Sequence, residues 1–222
     1  MKYQSLGEET KIRKAGYKTV AGLDEAGRGP LAGPVVACAV CVKPGLVNKP
    51  DLVIRDSKKM SFSQREKAFK FLTKNSFIDF GVSKASEKVI DRINILEATK
   101  LAMQKAVGKL RKKPDFLILD GNFRINSKIS QKPIIKADGK VFSCMAAGII
   151  AKVTRDRIML KYHKKYPCYG FDRHKGYPTK DHYNMLKKRG ACKIHRRSFS
   201  LLNESKVHFG NSPVKHNTGS RS

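Results

Sequence analysis

The longest unbroken apolar run in the chain is VVACAVCV at Val35–Val42, rich in β-branched residues and bounded by Pro34 and by Lys43-Pro44. Its length and composition predict a strand buried on both faces. Residues 19–23 predict another strand, which opens into a turn-rich stretch, Asp24-Glu25-Ala26-Gly27-Arg28-Gly29-Pro30. Residues 61–74 predict a helix with Ser61 or Ser63 as N-cap, and residues 77–82 a third strand. Residues 86–111 carry a long helical period: Ile93, Leu96, Ala98, Leu101, Ala102, Val107 and Leu110 share one core-facing surface, and Pro114 stops it. FLIL at residues 116–119 predicts a short buried strand ending at Asp120-Gly121, and residues 134–135 a further one. Residues 143–164 predict a helix with an apolar first half, residues 179–189 a last amphipathic helix, and residues 4–16 a short basic one. Strands mixed with helices in this way imply an α/β fold, a sheet with helices on its faces. No internal repeat is visible.

Composition sharpens this. A chain of 222 residues with 40% hydrophobic content builds one good-sized domain. Residues 205–222, rich in Ser, Asn, His, Gly and Lys, offer almost nothing to bury and are expected to be a disordered basic tail. Lys and Arg number 47 against 18 Asp and Glu, a formal charge of +29. A field of that strength attracts polyanions: nucleic acid first, an anionic membrane surface second, with a solubility bias as the plain alternative. No run approaches a membrane span, and residues 1–16 have no apolar stretch of the secretory kind, so neither a membrane partner nor export is expected. Five cysteines without an export signal read as reduced thiols in a cytoplasm. Cys38 and Cys41 form a CxxC, but three residues apart on a strand they face opposite sides, so they read as small buried groups rather than a zinc or redox pair.

In so basic a chain the carboxylates at strand ends and turns are the informative residues. Asp24 and Glu25 follow an apolar strand, Asp120 ends FLIL, and Asp138 sits in Lys136-Ala137-Asp138-Gly139-Lys140. Carboxylates at strand ends can converge above one sheet edge, where a hard cation such as Mg²⁺ or Mn²⁺ offsets their repulsion. Any one of them alone is better read as a turn former. Adjacent Asp24 and Glu25 can serve one site only where the chain turns, which the Gly27-Arg28-Gly29 segment permits. Those glycines also allow close approach of backbone N–H donors to a ligand. Lys58 reads as a solvated lysine or a phosphate contact. Lys152 and Arg155 share a helix face and, with Lys175, form either a phosphate-contacting patch or a solvated basic face. His163, His174, His182 and His195 lie in the basic C-terminal third, and His174, beside Lys175 and Tyr177, ranks first among them for substrate contact.

Taken together, these segments resemble ribonuclease HII, a type 2 ribonuclease H family. The resemblance rests on GLDEAGRGPLAGPVVA at residues 22–37, DSKKMS at 56–61, INILEATKLAMQKAV at 93–107, ILDGN at 118–122, KADGK at 136–140, IIAKVTRDR at 149–157, YGFDRHKGYPTKDH at 169–182 and HRRSF at 195–199. It spans residues 20–199. It implies a ribonuclease H-like fold, a central mixed β-sheet flanked by helices with a helical C-terminal region, in one catalytic domain over residues 1–204. It implies four carboxylates, Asp24, Glu25, Asp120 and Asp138, as catalytic and metal-holding residues around two Mn²⁺ or Mg²⁺ ions. The activity implied is endonucleolytic cutting of the RNA strand of RNA/DNA hybrids, and cutting 5′ to ribonucleotides embedded in duplex DNA, leaving 3′-hydroxyl and 5′-phosphate ends. Gly27, Arg28 and Gly29 would read the ribose 2′-hydroxyl, and Tyr177 would stack on the neighbouring deoxyribose. Lys58, Lys152, His174 and Lys175 complete the expected substrate contacts of a cytoplasmic monomer.

The chain departs from the family's pattern at Gly148, where members usually carry serine, a change expected to weaken the helix by ~1 kcal/mol and to remove a phosphate contact. Ala137 also precedes Asp138 where glycine is common. Ribonuclease HIII is the near rival, but it usually has an extra N-terminal domain and a Gly-Thr-Gly where this chain has Gly-Arg-Gly. Two further readings compete. A non-catalytic nucleic-acid-binding protein explains the charge but has no use for four carboxylates at loop positions. A resolvase- or transposase-like nuclease explains the carboxylates but not the Gly-Arg-Gly and HKGYPT contexts.

Overall fold

Val20–Ala26 (β1) and Val35–Val42 (β2) form an antiparallel pair at the heart of the sheet. This computed structural model describes residues 6–46 and 54–199. Gly7–Lys14 (α1) precedes β1, and Phe62–Lys74 (α2), Ile78–Ala85 (β3), Glu87–Val107 (α3), Phe116–Asp120 (β4), Ser130–Ile134 (β5), Phe142–Lys165 (α4), Phe171–His174 (α5) and Lys180–Arg189 (α6) follow. Short 3₁₀ turns lie at Ser57–Lys59, Ala137–Gly139 and Pro167–Tyr169. The strand order is β3-β2-β1-β4-β5, with β2 antiparallel to both β1 and β3 while β1, β4 and β5 run parallel. The sheet is therefore mixed, as expected. Among the described residues no helix is long and apolar enough to cross a membrane. The expected tail at 205–222 lies outside the described residues.

Alternation decides which helix meets which face. Ala21 and Leu23 of β1, with Ala37 and Ala39 of β2, pack under α3 against Ile90, Ala98, Ala102, Met103 and Ala106. Val36, Cys38 and Val40 face the other way, onto Ala68 and Leu72 of α2 and Met145, Ala146, Ile149 and Ile150 of α4. Cys38 and Cys41 fall in opposite layers, as the strand period requires. The first half of α4 is built of small residues because it lies hard on β1. A Cβ on Gly22 would meet Ser143 Oγ at 2.3 Å and the Cys144 backbone nitrogen at 2.6 Å. That close seat brings α4 up beside the C-terminal end of β1. No side chain of its own caps α4; instead buried Glu9 of α1 accepts from Ser143 N–H at 2.8 Å and Ser143 Oγ–H at 2.7 Å.

Three predicted elements come out differently. The helix read over residues 86–111 ends at Val107 and is broken at Asn94, whose φ is 64°. Asn94 Oδ1 accepts from Leu96 and Glu97 N–H at 2.9 and 3.0 Å, so it starts a new helix as an N-cap. The break rotates the apolar face: Ile90, Ala98, Thr99, Ala102, Met103 and Ala106 are buried, while Ile93, Leu96, Leu101 and Val107 are only partly so. The strand read at residues 134–135 is β5, which ends at Ile134, leaving Ile135 65% exposed. As an edge strand it can be polar and carry Pro133, which hides it from a hydrophobic scan. The strand read over residues 19–23 continues through Asp24 and Glu25 to Ala26, paired with β2 as far as Ala26–Val36.

Candidate active site

β1 and β4 are parallel neighbours in register at Leu23–Leu119, so the next residues along, Asp24 and Asp120, emerge side by side at the same sheet end. Asp138 arrives from the Ala137–Gly139 turn, which is tied to β4 where Asp120 Oδ1 accepts the Ala137 N–H at 2.7 Å. One carboxylate oxygen from each of Asp24, Asp120 and Asp138 lies within 4.8 Å of the others.

Glu25 stands apart from this trio. With no turn at Asp24, neighbouring side chains point to opposite faces, and the expectation that the chain turns there fails. Glu25 instead approaches Arg28, whose Nη1 lies 3.5 Å from its Oε1, while Oε2 is buried without a partner.

Electrostatics identify what this cluster lacks. Burial pushes the Asp24 carboxyl well above the usual range, and Glu25, Asp120 and Asp138 push it further. Burial also raises Glu25 to about 7, against the pull of Arg28. Asp120 is raised by burial and by Asp138. Lys58 Nζ reaches Asp138 Oδ2 at 3.1 Å; burial pulls the Lys58 pKa down, but the Asp138 contact and the charges of Asp138, Asp24 and Asp56 together raise it. Lys58 and Arg28 against the three converging carboxylates and Glu25 leave negative charge and an orphaned buried oxygen on Glu25. An all-oxygen donor set of this kind suits a hard divalent cation.

Gly148 has a role that the sequence reading did not give it. A Cβ there would stand 2.2 Å from Asp24 Oδ2, so the carboxylate occupies the room a side chain would take. The other expected contacts gather on the loops beyond β1. The Arg28 guanidinium stands 5.8 Å from the Phe123 ring centroid. The nearest atom to a Cβ on Gly29 would be Tyr177 Cε1, at 4.0 Å. Tyr177 is 39% exposed, with Lys152 Nζ and Arg155 Cζ at 5.8 and 5.7 Å from its centroid. Lys152 is ion-paired with Asp156 at 2.9 Å. Lys175 Nζ donates to the Asp172 carbonyl.

His174 holds the loop from inside. Its Nδ1 accepts the Gly176 N–H at 3.1 Å, and Nε2 lies 2.6 Å from the Tyr169 carbonyl, so neither nitrogen is left for substrate. Arg155 is not part of a surface patch with Lys152: its relative exposure is 0%, and it donates only to backbone carbonyls. Arg196 is also fully buried, and His182 and His195, named in the sequence only as members of the basic C-terminal third, pair inside the fold. In a chain with 47 basic residues, charge gives no sign of which ones turn inward.

The two loop glycines make opposite demands. Gly27 has φ +97°, and a Cβ there would meet Arg155 Nε at 2.0 Å. Gly27→Ala is therefore expected to cost about 2–3 kcal/mol, from left-handed strain and overpacking. Gly29 has neither constraint, and Gly29→Ala is expected to stay within about 0.5 kcal/mol of wild type. Chemical denaturation of both variants checks this; equal costs would refute it. A glycine the fold does not need leaves room for a ligand.

A family model described as Ribonuclease HII matches residues 21–202. A curated Ribonuclease HII of Chlamydia muridarum is 51% identical over 202 residues, covering 91% of each chain. One from Acetivibrio thermocellus is 50% identical over 192 residues, 86% of this chain and 73% of the relative. Among solved structures, ribonuclease H2 from Pyrococcus horikoshii OT3 superposes with a TM-score of 0.70 at 30% identity, over 85% of this chain and 97% of that one. The Bst ribonuclease HIII solved in complex with Mn²⁺ gives 0.64 at 15% identity, over 84% of this chain and 68% of that one, which speaks for the fold alone.

Proposed function

This chain belongs to the ribonuclease HII family, and from that membership we propose that it is an endonuclease that cuts 5′ to ribonucleotides embedded in duplex DNA as well as within the RNA strand of hybrids. The coarser statement needs no proposal: it is a ribonuclease H enzyme, of a family that cleaves RNA in RNA/DNA hybrids. The observation that carries the finer reading is the convergence of Asp24, Asp120 and Asp138 within 4.8 Å, beside a loop glycine that the fold does not require.

In this reading Asp24, Asp120 and Asp138, with Glu25 beside them, would hold two divalent ions, Mg²⁺ or Mn²⁺. Bound there, such ions supply Lewis acidity that activates water and stabilises the leaving oxygen. Water oxygen bonds to phosphorus as the bond to the 3′-oxygen breaks, giving 3′-hydroxyl and 5′-phosphate. The protein positions the strand. Lys58, beside Asp138, offsets phosphate charge. The free N–H groups of Arg28 and Gly29 approach the 2′-hydroxyl, which separates ribose from deoxyribose. Tyr177 presents an exposed ring for the adjoining sugar, and Lys152 and Lys175 add positive charge along the strand. His174 holds its loop rather than touching substrate. One catalytic domain over residues 1–204, acting as a cytoplasmic monomer, completes the proposal.

The test is a duplex carrying one ribonucleotide, with an all-DNA duplex as control, run with Mg²⁺, with Mn²⁺ and with chelator. Metal-dependent cutting 5′ to the ribonucleotide, with the control intact, is the expected result. Cutting of long hybrids alone would refute the embedded-ribonucleotide activity, and cutting of neither would refute the nuclease reading.

A further inference from the structure

Arg155 and Arg196 are both 0% exposed, and among the described residues neither has a carboxylate within ion-pair distance. Burying a cation costs several kcal/mol unless its surroundings compensate. Here every side-chain hydrogen bond goes to a backbone carbonyl, and the Tyr177 and Phe199 ring centroids lie 5.7 and 5.0 Å from the Arg155 and Arg196 guanidinium carbons. Arg196 donates from Nε to the Gly33 carbonyl at 2.9 Å, from Nη1 to Arg28 at 2.7 Å and from Nη2 to Gly27 at 2.5 Å. Arg155 donates from Nε to Pro34 at 3.0 Å, from Nη2 to Ala32 at 3.1 Å and from Nη1 to Lys175 at 3.0 Å. Five of these six carbonyls belong to residues 27–34. Arg196 N–H also donates to the Leu31 carbonyl at 2.9 Å, so the backbone of residue 196 and its side chain grip the same loop.

The consequence is directional. The carbonyls of Gly27 and Arg28 are turned inward onto a guanidinium, and no protein acceptor among the described residues takes the N–H of Arg28 or Gly29. Arg155 adds the second loop: it holds the carbonyl of Lys175, which sits at φ 51°, and its guanidinium faces the Tyr177 ring. A lysine ammonium also has three donors, but on one nitrogen; the planar fork of arginine spreads them over three nitrogens, as these separated carbonyls require.

We propose that Arg155 and Arg196 form an internal clamp that sets the Gly27–Pro34 backbone and the Tyr177 loop in one fixed relation, making them positioning residues for ribose discrimination. The inference rests on the reading that this loop recognises a 2′-hydroxyl. Neither arginine touches substrate; each acts through the peptide groups it holds. A merely structural role would move stability and leave discrimination alone.

The test uses the full chain in chelator, so that no cleavage intervenes. The affinity for a duplex with one ribonucleotide is compared with that for the same all-DNA duplex. Wild type is expected to prefer the ribonucleotide by about 5–10-fold, the worth of one or so added hydrogen bonds. Arg196→Lys and Arg155→Lys keep the charge, but a single nitrogen cannot reach carbonyls spread over Nε, Nη1 and Nη2. Each is expected to bring the ratio to within about twofold of unity while all-DNA affinity stays within about twofold. Arg196→Met is expected to do the same if it folds; where it does not, the lysine variants decide. A folded variant that keeps the wild-type ratio overturns the clamp, as does an equal loss of affinity for both duplexes. A wild type with no ribose preference overturns the loop reading itself, and the clamp with it, and is distinguished by appearing without any substitution.

Discussion

Asp24→Asn is expected to lower metal-dependent cleavage by about 10³-fold, the scale on which a bound cation stabilises transition-state charge, while the variant folds and still binds duplex. The substitution is nearly isosteric. The amide oxygen it introduces can still accept the Glu25 N–H that Asp24 accepts at 2.6 Å. The amide nitrogen takes the place of the second oxygen beside Gly148, with little change in volume. The charge is lost with little change of shape, and at this position the charge is a liability to the metal-free fold. Burial and three neighbouring carboxylates raise the Asp24 pKa far above its unfolded value of about 3.9. A carboxyl whose folded pKa is raised binds its proton more tightly in the folded state. Its contribution to stability is therefore present at low pH and lost as pH rises above about 4.

Asp24→Asn removes that loss, so without metal the variant is expected to be the more stable protein at pH 8, with the difference shrinking on acidification. With Mg²⁺ at a hundredfold excess over Kd, wild type is expected to gain about 2.7 kcal/mol while the variant gains little, which offsets the variant's advantage. Thermal melts with and without Mg²⁺, beside a cleavage assay, check all three. Cleavage within tenfold of wild type would remove Asp24 from the site.

The parts of the fold that announced themselves are those where burial and period coincide. VVACAVCV and FLIL are covered on both faces, so their composition alone predicts strands, and both are strands. Ser61 was named as a candidate N-cap and caps α2 through a full capping box with Gln64. What escaped has a physical cause in each case. Edge strand β5 need not be apolar. The break at Asn94 lies inside a continuous apolar period, and its only mark is an Asn three residues before Glu97.

The candidate site divides the same way. Asp120 and Asp138 were identified from their turn contexts, and the turn at Ala137–Gly139 is present. Asp24 and Glu25 were expected to share one side through a turn that the chain does not make. Their division between strand faces follows from three further residues of pairing with β2, which no local pattern reports. Arg155, Arg196 and the inward histidines were invisible for a related reason. A basic residue's burial is decided by distant carbonyls, brought near only when residues 27–34, 155, 175 and 196 assemble.

The largest effect on stability is expected from the two histidines in that same region. His182 and His195 are both buried, with their Nε2 atoms 3.0 Å apart. The Cys192 N–H can only donate, and it lies 2.9 Å from His195 Nδ1, which is therefore an acceptor. His195 Nε2 then carries the proton and donates to His182 Nε2, and His182 Nδ1–H donates to the Tyr177 carbonyl at 2.9 Å. This chain of donors is satisfied only while both rings are neutral, since a further proton would set one donor against another. Burial is the main cause of their low pKa values, His182 at about 4 and His195 at about 3, with mutual repulsion adding to it for His195.

The unfolded chain protonates both near pH 6.5, so it binds more protons than the folded chain below that pH. Stability from this pair is then full above about pH 6.5 and falls as pH drops toward the folded values. Between pH 7 and pH 5 the loss should be about 2 kcal/mol per ring, about 4 kcal/mol in all. The raised carboxylates of Asp24, Glu25 and Asp120 act in the opposite sense over part of this window. The decisive quantity is therefore the difference between wild type and His195→Gln, measured by urea denaturation at both pH values. That difference is expected to shrink by about 2 kcal/mol at pH 5, because the variant has one such ring fewer to protonate. A difference independent of pH would mean that the pair titrates normally and that the donor chain through Cys192, His195, His182 and Tyr177 does not hold it neutral.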